Sequence, residues 1–415
     1  MNSRSDRFDV VVVGSRVAGA PTALLLAKLG LRVLLADRAR FPSDTVSSHQ
    51  LQVPGVAALK RWGVLDGIRQ DGVSEVRELQ LTVRKTSVRG HLPVVDGVGM
   101  LLSPRRSRLD HLLRCAAVEA GAVVAEGFAV DDVDLVDGRV VGVVGRDRRR
   151  AVHRVSADLV VGADGKNSAV AKAVRAPVLT SVPQQTIAAY AYWRGKPTTQ
   201  AEVHHLPGRA VAVFPTDDNL TVTFVAAPAD ELVRVRRDAL HFVRSTLARC
   251  VGTGEALQTD QLAERVRLAP ELPHRMLQAH GPGWALVGDA GMVMDPVSAQ
   301  GMTNAFLSAE MLARAVAQAL EAGRPIDSSL DLYQSERDQR FAGMFAFTAG
   351  LARLAPSWQS ALVVRRLGRS QQAIDRLLAV FSGLEPPDTF FGVRNLARLL
   401  GPGVRPTTAR DAPRT

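Results

Sequence analysis

Six residues, Gly14-Ser-Arg-Val-Ala-Gly19, separate an apolar run from a stretch of small residues and leucines, and an acid, Asp37, follows 23 positions after Gly14. The spacing suits a dinucleotide. Gly14 permits a tight turn, Gly19 permits close packing of helix on sheet, and the helix N-terminus offers unpaired N–H groups and positive dipole to a pyrophosphate. Asp37 is placed to accept from a ribose hydroxyl. Arg16 stands where this fingerprint has its second glycine, so its side chain must point away or toward a phosphate. Two further turns carry acids at strand ends, Asp164-Gly165 after Val160-Val-Gly-Ala and Gly288-Asp289 after Leu286-Val. The second leads on to Asp295-Pro296 and then to Gln300-Gly301-Met302. Each alone is an ordinary turn dipeptide; their joint order and spacing are harder to explain as unrelated turns.

The elements that must hold these residues follow from hydrophobic pattern. Phe8–Val13 reads as a strand buried on both faces, Ala18–Leu29 as a helix stopped by Gly30, and Arg32–Ala36 as a second strand. Helices are predicted at 51–66, at Ser107–Ala120 and at Thr303–Ala322, and the short strand Trp284–Val287 precedes the last of these. Residues 75–100 read as strands with turns at Arg89-Gly90 and Asp96-Gly97, and Asp137-Gly138 marks a hairpin. Thr186–Trp193, Ala210–Phe214 and Leu220–Val225 read as a separate sheet followed by a helix over Asp230–Cys250.

With these motifs in place, the sequence resembles the class A flavoprotein monooxygenases, the aromatic hydroxylases related to p-hydroxybenzoate hydroxylase. The resemblance runs from Val10 to about Ala315 and is weakest through the middle sheet. It implies an α/β fold: a Rossmann-type FAD-binding domain with an inserted mixed β-sheet substrate domain and C-terminal helices. The corresponding segments are 1–74, 101–175 and 276–345 for the discontinuous FAD-binding domain, and 75–100 with 176–275 for the substrate sheet. A helical region, 346–404, either covers the FAD domain or makes a dimer contact, and 405–415 reads as a disordered tail.

The cofactor contacts implied by the resemblance are Gly14, Arg16, Val17, Ala18, Gly19, Asp37, Arg38, Arg106, Val130, Asp164, Gly165, Gly288, Asp289, Pro296, Gly301 and Met302. Asp164-Gly165 would serve FAD and the passing NAD(P)H, Asp289 the ribityl-pyrophosphate, and Asp295-Pro296 with Gly301-Met302 the isoalloxazine. A helix opening near Gly301 would aim its dipole at the N1–C2=O edge, where negative charge develops on reduction. No second glycine fingerprint follows a strand, so NAD(P)H is expected as a transient reductant without a domain of its own. The implied reaction passes through a C4a-hydroperoxyflavin that delivers one oxygen atom of O₂ to an aromatic or polyketide-like molecule. Flavin-dependent C=C reduction of the geranylgeranyl-reductase type is the alternative. Halogenation is disfavoured, because Trp-x-Trp-x-Ile is missing and Lys60 sits in an amphipathic stretch. A degenerate flavoprotein acting as a scaffold is favoured by Arg16 alone.

No general base is singled out. The candidate pocket residues are His49, Tyr190, Tyr192, Phe214 and Pro296, with Tyr190 and Tyr192 on one strand face and Trp193 on the other. Phe214-Pro215 is expected on a neighbouring strand, facing that pair. Composition bounds the rest. The net charge is +11, carried mostly by scattered arginines, which gives little weight to nucleic acid. Cys115 and Cys250 are far apart and lack metal-ligand spacing, so no metal and no Cys-x-x-Cys dithiol is expected and a cytoplasmic location fits. No run reaches the ~18 apolar residues of a membrane span. A monomer or homodimer is expected.

Overall fold

The computed structural model describes residues 7–45, 47, 49–195, 200–252, 257 and 261–400; the expected tail at 405–415 lies outside them. The first sheet is centred on Arg7–Val13, which pairs in parallel with Val33–Asp37 on one side and Val152–Gly162 on the other. Val123–Glu126 extends it beyond Val33–Asp37, and Trp284–Leu286 extends it beyond Val152–Gly162, both in parallel. This arrangement explains the unbroken apolar run. Val10 and Val12 enter one core and Val11 and Val13 the other, as alternate side chains of a strand covered on both faces must. The hairpin Ala129–Val136 and Arg139–Arg146 joins antiparallel along the outer part of Val152–Gly162.

The second sheet runs in the order Gln261–Leu262, Thr186–Arg194, Thr221–Pro228, Arg209–Pro215, Ala201–Leu206, Glu78–Val83 and Thr86–His91. Residues from the 78–91 hairpin thus join strands that lie more than a hundred positions later. Ala188, Tyr190, Tyr192, Ala210, Ala212, Phe214 and Phe224 face the large common core, while Ile187, Ala189, Ala191 and Trp193 face Phe242, Val243 and Leu247 of the helix Ala239–Leu247. A small third sheet of Val178–Val182, His274–Leu277 and Met292–Val293 bridges the way back to the first.

Several elements differ from the sequence expectation. Arg89-Gly90 is not a turn: it lies within Thr86–His91, paired with Gln80 and Leu79, and the chain reverses instead at Arg84-Lys85. Gly90 is needed there because a Cβ would lie 2.6 Å from Ile374 Cγ2. The helix expected over 230–250 is broken at Asp238, which ends Leu232–Arg237 and whose carboxylate caps the next helix by accepting from His241 N–H at 2.9 Å. The helix expected over 51–66 is two, Val53–Trp62 and Leu65–Gln70, parted by Gly63 at φ 81°. The strand Ala201–Leu206 is an addition. Helix Leu330–Ala352 runs straight through residue 345, and it is followed by helices at Trp358–Leu367, Gln371–Phe381, Pro387–Phe391 and Val393–Leu400.

Candidate active site

The turn Gly14–Gly19 is set by contacts that admit no side chain. Gly14 has φ 98°, and a Cβ there would lie 2.6 Å from the Ala163 carbonyl oxygen. A Cβ on Gly19 would lie 1.7 Å from the Gly14 carbonyl oxygen. Helix Gly19–Lys28 therefore starts directly against the strand ends, with Ala18, Gly19 and Ala20 buried. Gly288, at φ 56°, meets Ala18 in the same way: its Cβ would be 2.8 Å from Ala18 Cβ. The Gly14–Gly19 and Gly288-Asp289 turns are thus packed together.

Arg16 points away from the helix start. Its guanidinium donates to Asp110 Oδ2 at 2.9 Å and Ser43 Oγ at 2.9 Å, and lies over the Phe41 ring at 5.2 Å. Asp110, with no exposed side chain, also accepts two bonds from Arg106, at 3.0 and 3.1 Å. Arg106 and Arg16 therefore share one buried carboxylate. Asp37 is drawn into the turn: Oδ2 accepts from Ser15 N–H at 2.7 Å and from its hydroxyl at 3.0 Å, and Oδ1 accepts from Ala39 N–H at 2.8 Å. Arg38 is exposed, and Val130 is half-buried at the start of its strand, packed on the second core.

Three features leave room and polar capacity for a cofactor. The Asp164 Oδ1 atom is buried with no partner, while Oδ2 accepts from Ala169 N–H at 2.6 Å; burial raises this carboxyl against the bonds of Ser168 and Ala169. Asp289 is exposed, with protein crowded around its carboxyl. The loss of bulk water pushes its carboxyl up to about 6, against the pull of Arg106 and Lys166. Gly301, first residue of the 21-residue helix Gly301–Glu321, would carry a Cβ with no protein atom within 4 Å. The neighbouring Met302 is buried, with its sulfur 4.0 Å from Ser47 Oγ.

Beyond the Gly301 helix start lies a small apolar cavity of about 20 Å³, partly open to solvent. Pro296 to Ala299 form one wall, Gln50 and Gln52 an edge, and Ala210, Ala212, Phe214 and Phe224 the sheet side; Phe381 closes it from a C-terminal helix. The Pro296 turn is fixed by Asp295, which accepts from Val297 N–H at 3.0 Å and from the Thr186 hydroxyl, while its own N–H donates to His274 Nδ1 at 3.2 Å. Of the five pocket candidates, Phe214 and Pro296 line this cavity. Phe214 is not on the strand next to Tyr190, however: Thr221–Pro228 lies between them, and Tyr190 packs on Phe224 instead, with ring centroids 5.5 Å apart. Gln50, Gln52, Phe224 and Phe381 were not anticipated. Phe224 follows the alternation of its strand, but nothing local marks Phe381.

His49 and Tyr192 form a buried polar pair that is not part of the cavity lining, His49 being the chain neighbour of Gln50. His49 is fully buried at φ 58°, a conformation that a non-glycine residue holds only when its surroundings impose it. Burial lowers its pKa to about 3, against the pull of Asp44, so the ring is neutral. Nε2 is hydrogen-bonded to the Tyr192 hydroxyl, and Nδ1 is buried without a partner. Arg105 lies over the Tyr192 ring at 4.8 Å and pairs with Asp44 at 3.1 Å and Glu264 at 2.5 Å; Arg267 pairs with the same two acids. Lys60 stands apart from all of this, donating to the Asp96 carbonyl oxygen at 2.8 Å.

Residues 7–348 match the family described as FAD binding domain. Digeranylgeranylglycerophospholipid reductase 1 of Methanopyrus kandleri is 27% identical over 93% of this chain and all of its own length. The 6-hydroxy-3-succinoylpyridine 3-monooxygenase of Pseudomonas putida is 27% identical over 80% of this chain and 84% of its own. In three dimensions, a flavin-dependent brominase superposes with a TM-score of 0.77 at 18% identity, covering 95% of this chain and 97% of that one, which establishes a shared fold. The buried orphan oxygen of Asp164, the open approach at Gly301 and the closed turn at Gly14–Gly19 fit the cofactor that the family binds. The chain belongs to the FAD-binding domain family and is an FAD-dependent oxidoreductase of the kind represented by the class A flavoprotein monooxygenases.

Proposed function

We propose that this protein is a monooxygenase that uses NAD(P)H and O₂ to hydroxylate or epoxidise an aromatic or polyketide-like small molecule. The observation that carries the reading is the apolar cavity between the Pro296–Ala299 turn and the sheet, lined by Phe214 and Phe224 and adjoining in the chain the unobstructed start of the Gly301 helix. When bound, FAD supplies the electron storage and oxygen activation. The chain supplies binding and exclusion. Backbone N–H groups after Gly14 would meet the pyrophosphate, and Asp289 and Asp164 Oδ1 the ribityl and ribose hydroxyls. The first N–H groups of the Gly301 helix would hold negative charge at the flavin edge. Phe214 and Phe224 would hold a planar substrate face, and Pro296 and Phe381 keep water from it.

His49 and Tyr192 would orient a polar group of the substrate. The neutral ring leaves Nδ1 without a protein partner, and the tyrosine, whose burial raises its pKa, stays protonated throughout the working range. The distant thiols Cys115 and Cys250 fit a reducing cytoplasm. The relationship to the phospholipid reductase over most of the chain supports a second reading, reduction of a C=C bond in the same cavity.

Rapid mixing of the NADPH-reduced holoprotein with O₂ separates the two. A transient absorbance band that forms with oxygen and precedes oxidised flavin, lengthened in lifetime by candidate substrates, is the outcome expected of a monooxygenase. Direct reoxidation to flavin and peroxide, with every candidate present, would overturn that reading and favour the reductase.

A further inference from the structure

One face of the C-terminal helical region combines exposed apolar side chains with unpaired basic charge. Helix Trp358–Leu367 projects Trp358 (65% exposed) and Leu362 (43% exposed) one turn apart, and Arg365 follows in the same stripe, with Arg369 just past the helix end. Residues 351–374 contain four arginines and no acid. The helix packs on the hairpin Glu78–His91, whose turn adds exposed Arg84 and Lys85; Arg84 is tied to the helix start by donating to the Pro356 carbonyl oxygen at 3.0 Å. On its other side it packs on helix Val393–Leu400, which adds exposed Val393, Arg394 and Arg398. Among the described residues none of these cations is in an ion pair, whereas elsewhere on the surface Arg61, Arg69, Arg146 and Arg154 are paired with carboxylates.

We infer that this face, centred on Trp358, Leu362 and Arg365, docks on an anionic lipid surface. A tryptophan and a leucine among arginines is the composition of an element lying at the headgroup boundary: the apolar groups enter and the cations stay with the phosphates. The charge is spread along two helices and a hairpin rather than gathered at one point. That suits a lipid plane better than a single anionic ligand. The same layer reaches the cavity, because helix Gln371–Phe381 packs on the Thr86–His91 strand and ends at Phe381 in the cavity wall. Docking there would place the closure of an apolar cavity beside a source of apolar molecules. The inference does not depend on whether the flavin chemistry is oxygenation or reduction.

The test is sedimentation of the FAD-loaded full chain with phosphatidylcholine vesicles containing about 30% phosphatidylglycerol, and with pure phosphatidylcholine vesicles. Binding is expected to the first only, and to fall as salt rises. Trp358→Ala and the pair Arg365→Glu with Arg366→Glu should each weaken it by about tenfold or more. Arg236→Glu with Arg237→Glu, the same charge change on a distant helix with acids nearby, should leave it within about twofold. All variants should retain FAD and its absorbance spectrum, which separates lost docking from lost folding. Equal weakening by both arginine pairs would reduce the effect to net charge and overturn the inference, as would absence of wild-type binding. Binding of a soluble acidic carrier protein through Trp358, without vesicle binding, would overturn it in favour of a protein partner.

Discussion

Replacing Gly301 by alanine should strengthen the empty protein and weaken its hold on FAD. A methyl group at this position meets no protein atom within 4 Å, so the fold has no steric objection to it. Gly301 is the first residue of a 21-residue helix, and removing a glycine's backbone freedom from a helix stabilises by up to about 1 kcal/mol. In a chain of this length that is a rise in Tm of roughly 1–2 °C for FAD-stripped protein. The space the methyl enters is the one assigned to the flavin edge. Overpacking there costs about 1–3 kcal/mol, which weakens FAD binding by roughly 5- to 150-fold. The assay pairs thermal unfolding of the stripped protein with titration of flavin fluorescence. Gly19→Ala is the contrast, since its Cβ would collide with the Gly14 carbonyl oxygen at 1.7 Å; stability and FAD binding should fall together. Unchanged FAD affinity in Gly301→Ala would refute the placement of the flavin at this helix.

Arg16→Gly restores a glycine-rich loop but strips a cation from fully buried Asp110; stability should fall by about 1–2 kcal/mol, while FAD affinity, read by fluorescence titration, stays within about threefold. A tenfold loss of FAD binding instead would show that the side chain serves the cofactor. Stability should also decline in acid. His49 and His205 are held at about 3 and about 4 by burial, so below their ordinary value of 6.5 the unfolded chain takes up protons that the folded chain refuses. The effect is absent above about pH 7 and reaches roughly 2 kcal/mol per histidine at pH 5. Denaturant titrations at several pH values should show a shallower decline for His205→Phe, and an unchanged slope would refute the attribution. Ala212→Phe should fill the cavity wall, suppressing substrate-dependent turnover at least about tenfold while FAD content and NAD(P)H-free spectra are retained. Normal turnover by that variant would move the substrate site elsewhere.

How much could be read in advance varies with the range of the interaction. The FAD-binding strands and turns were legible because their constraints are local. Gly14 and Gly19 lie five residues apart and meet through one turn, and the Val10–Val13 run is buried on both faces whatever covers it. The substrate sheet was read only in part. Arg89-Gly90 has the composition of a turn, but its glycine answers to Ile374, almost three hundred positions away. The Asp238 break is a cap within an amphipathic helical pattern, which periodicity passes over.

The sequence by itself determined the dinucleotide turn, the doubly buried parallel strands and the helix opening at Gly301, since neighbours in the chain enforce each of them. It also determined that Tyr190 and Tyr192 share a strand face, because side chains alternate along a strand. Only the tertiary structure decided that Phe224, not Phe214, stands beside Tyr190, because strand order is set by which edges pair after long connections. It alone turned Arg16 toward Asp110, gave His49 its tyrosine, and brought Phe381 from the far end of the chain to close the cavity. These are choices among partners separated by tens to hundreds of residues, settled by which buried charges, hydrogen bonds and apolar faces can be satisfied together, and local pattern carries no record of that competition.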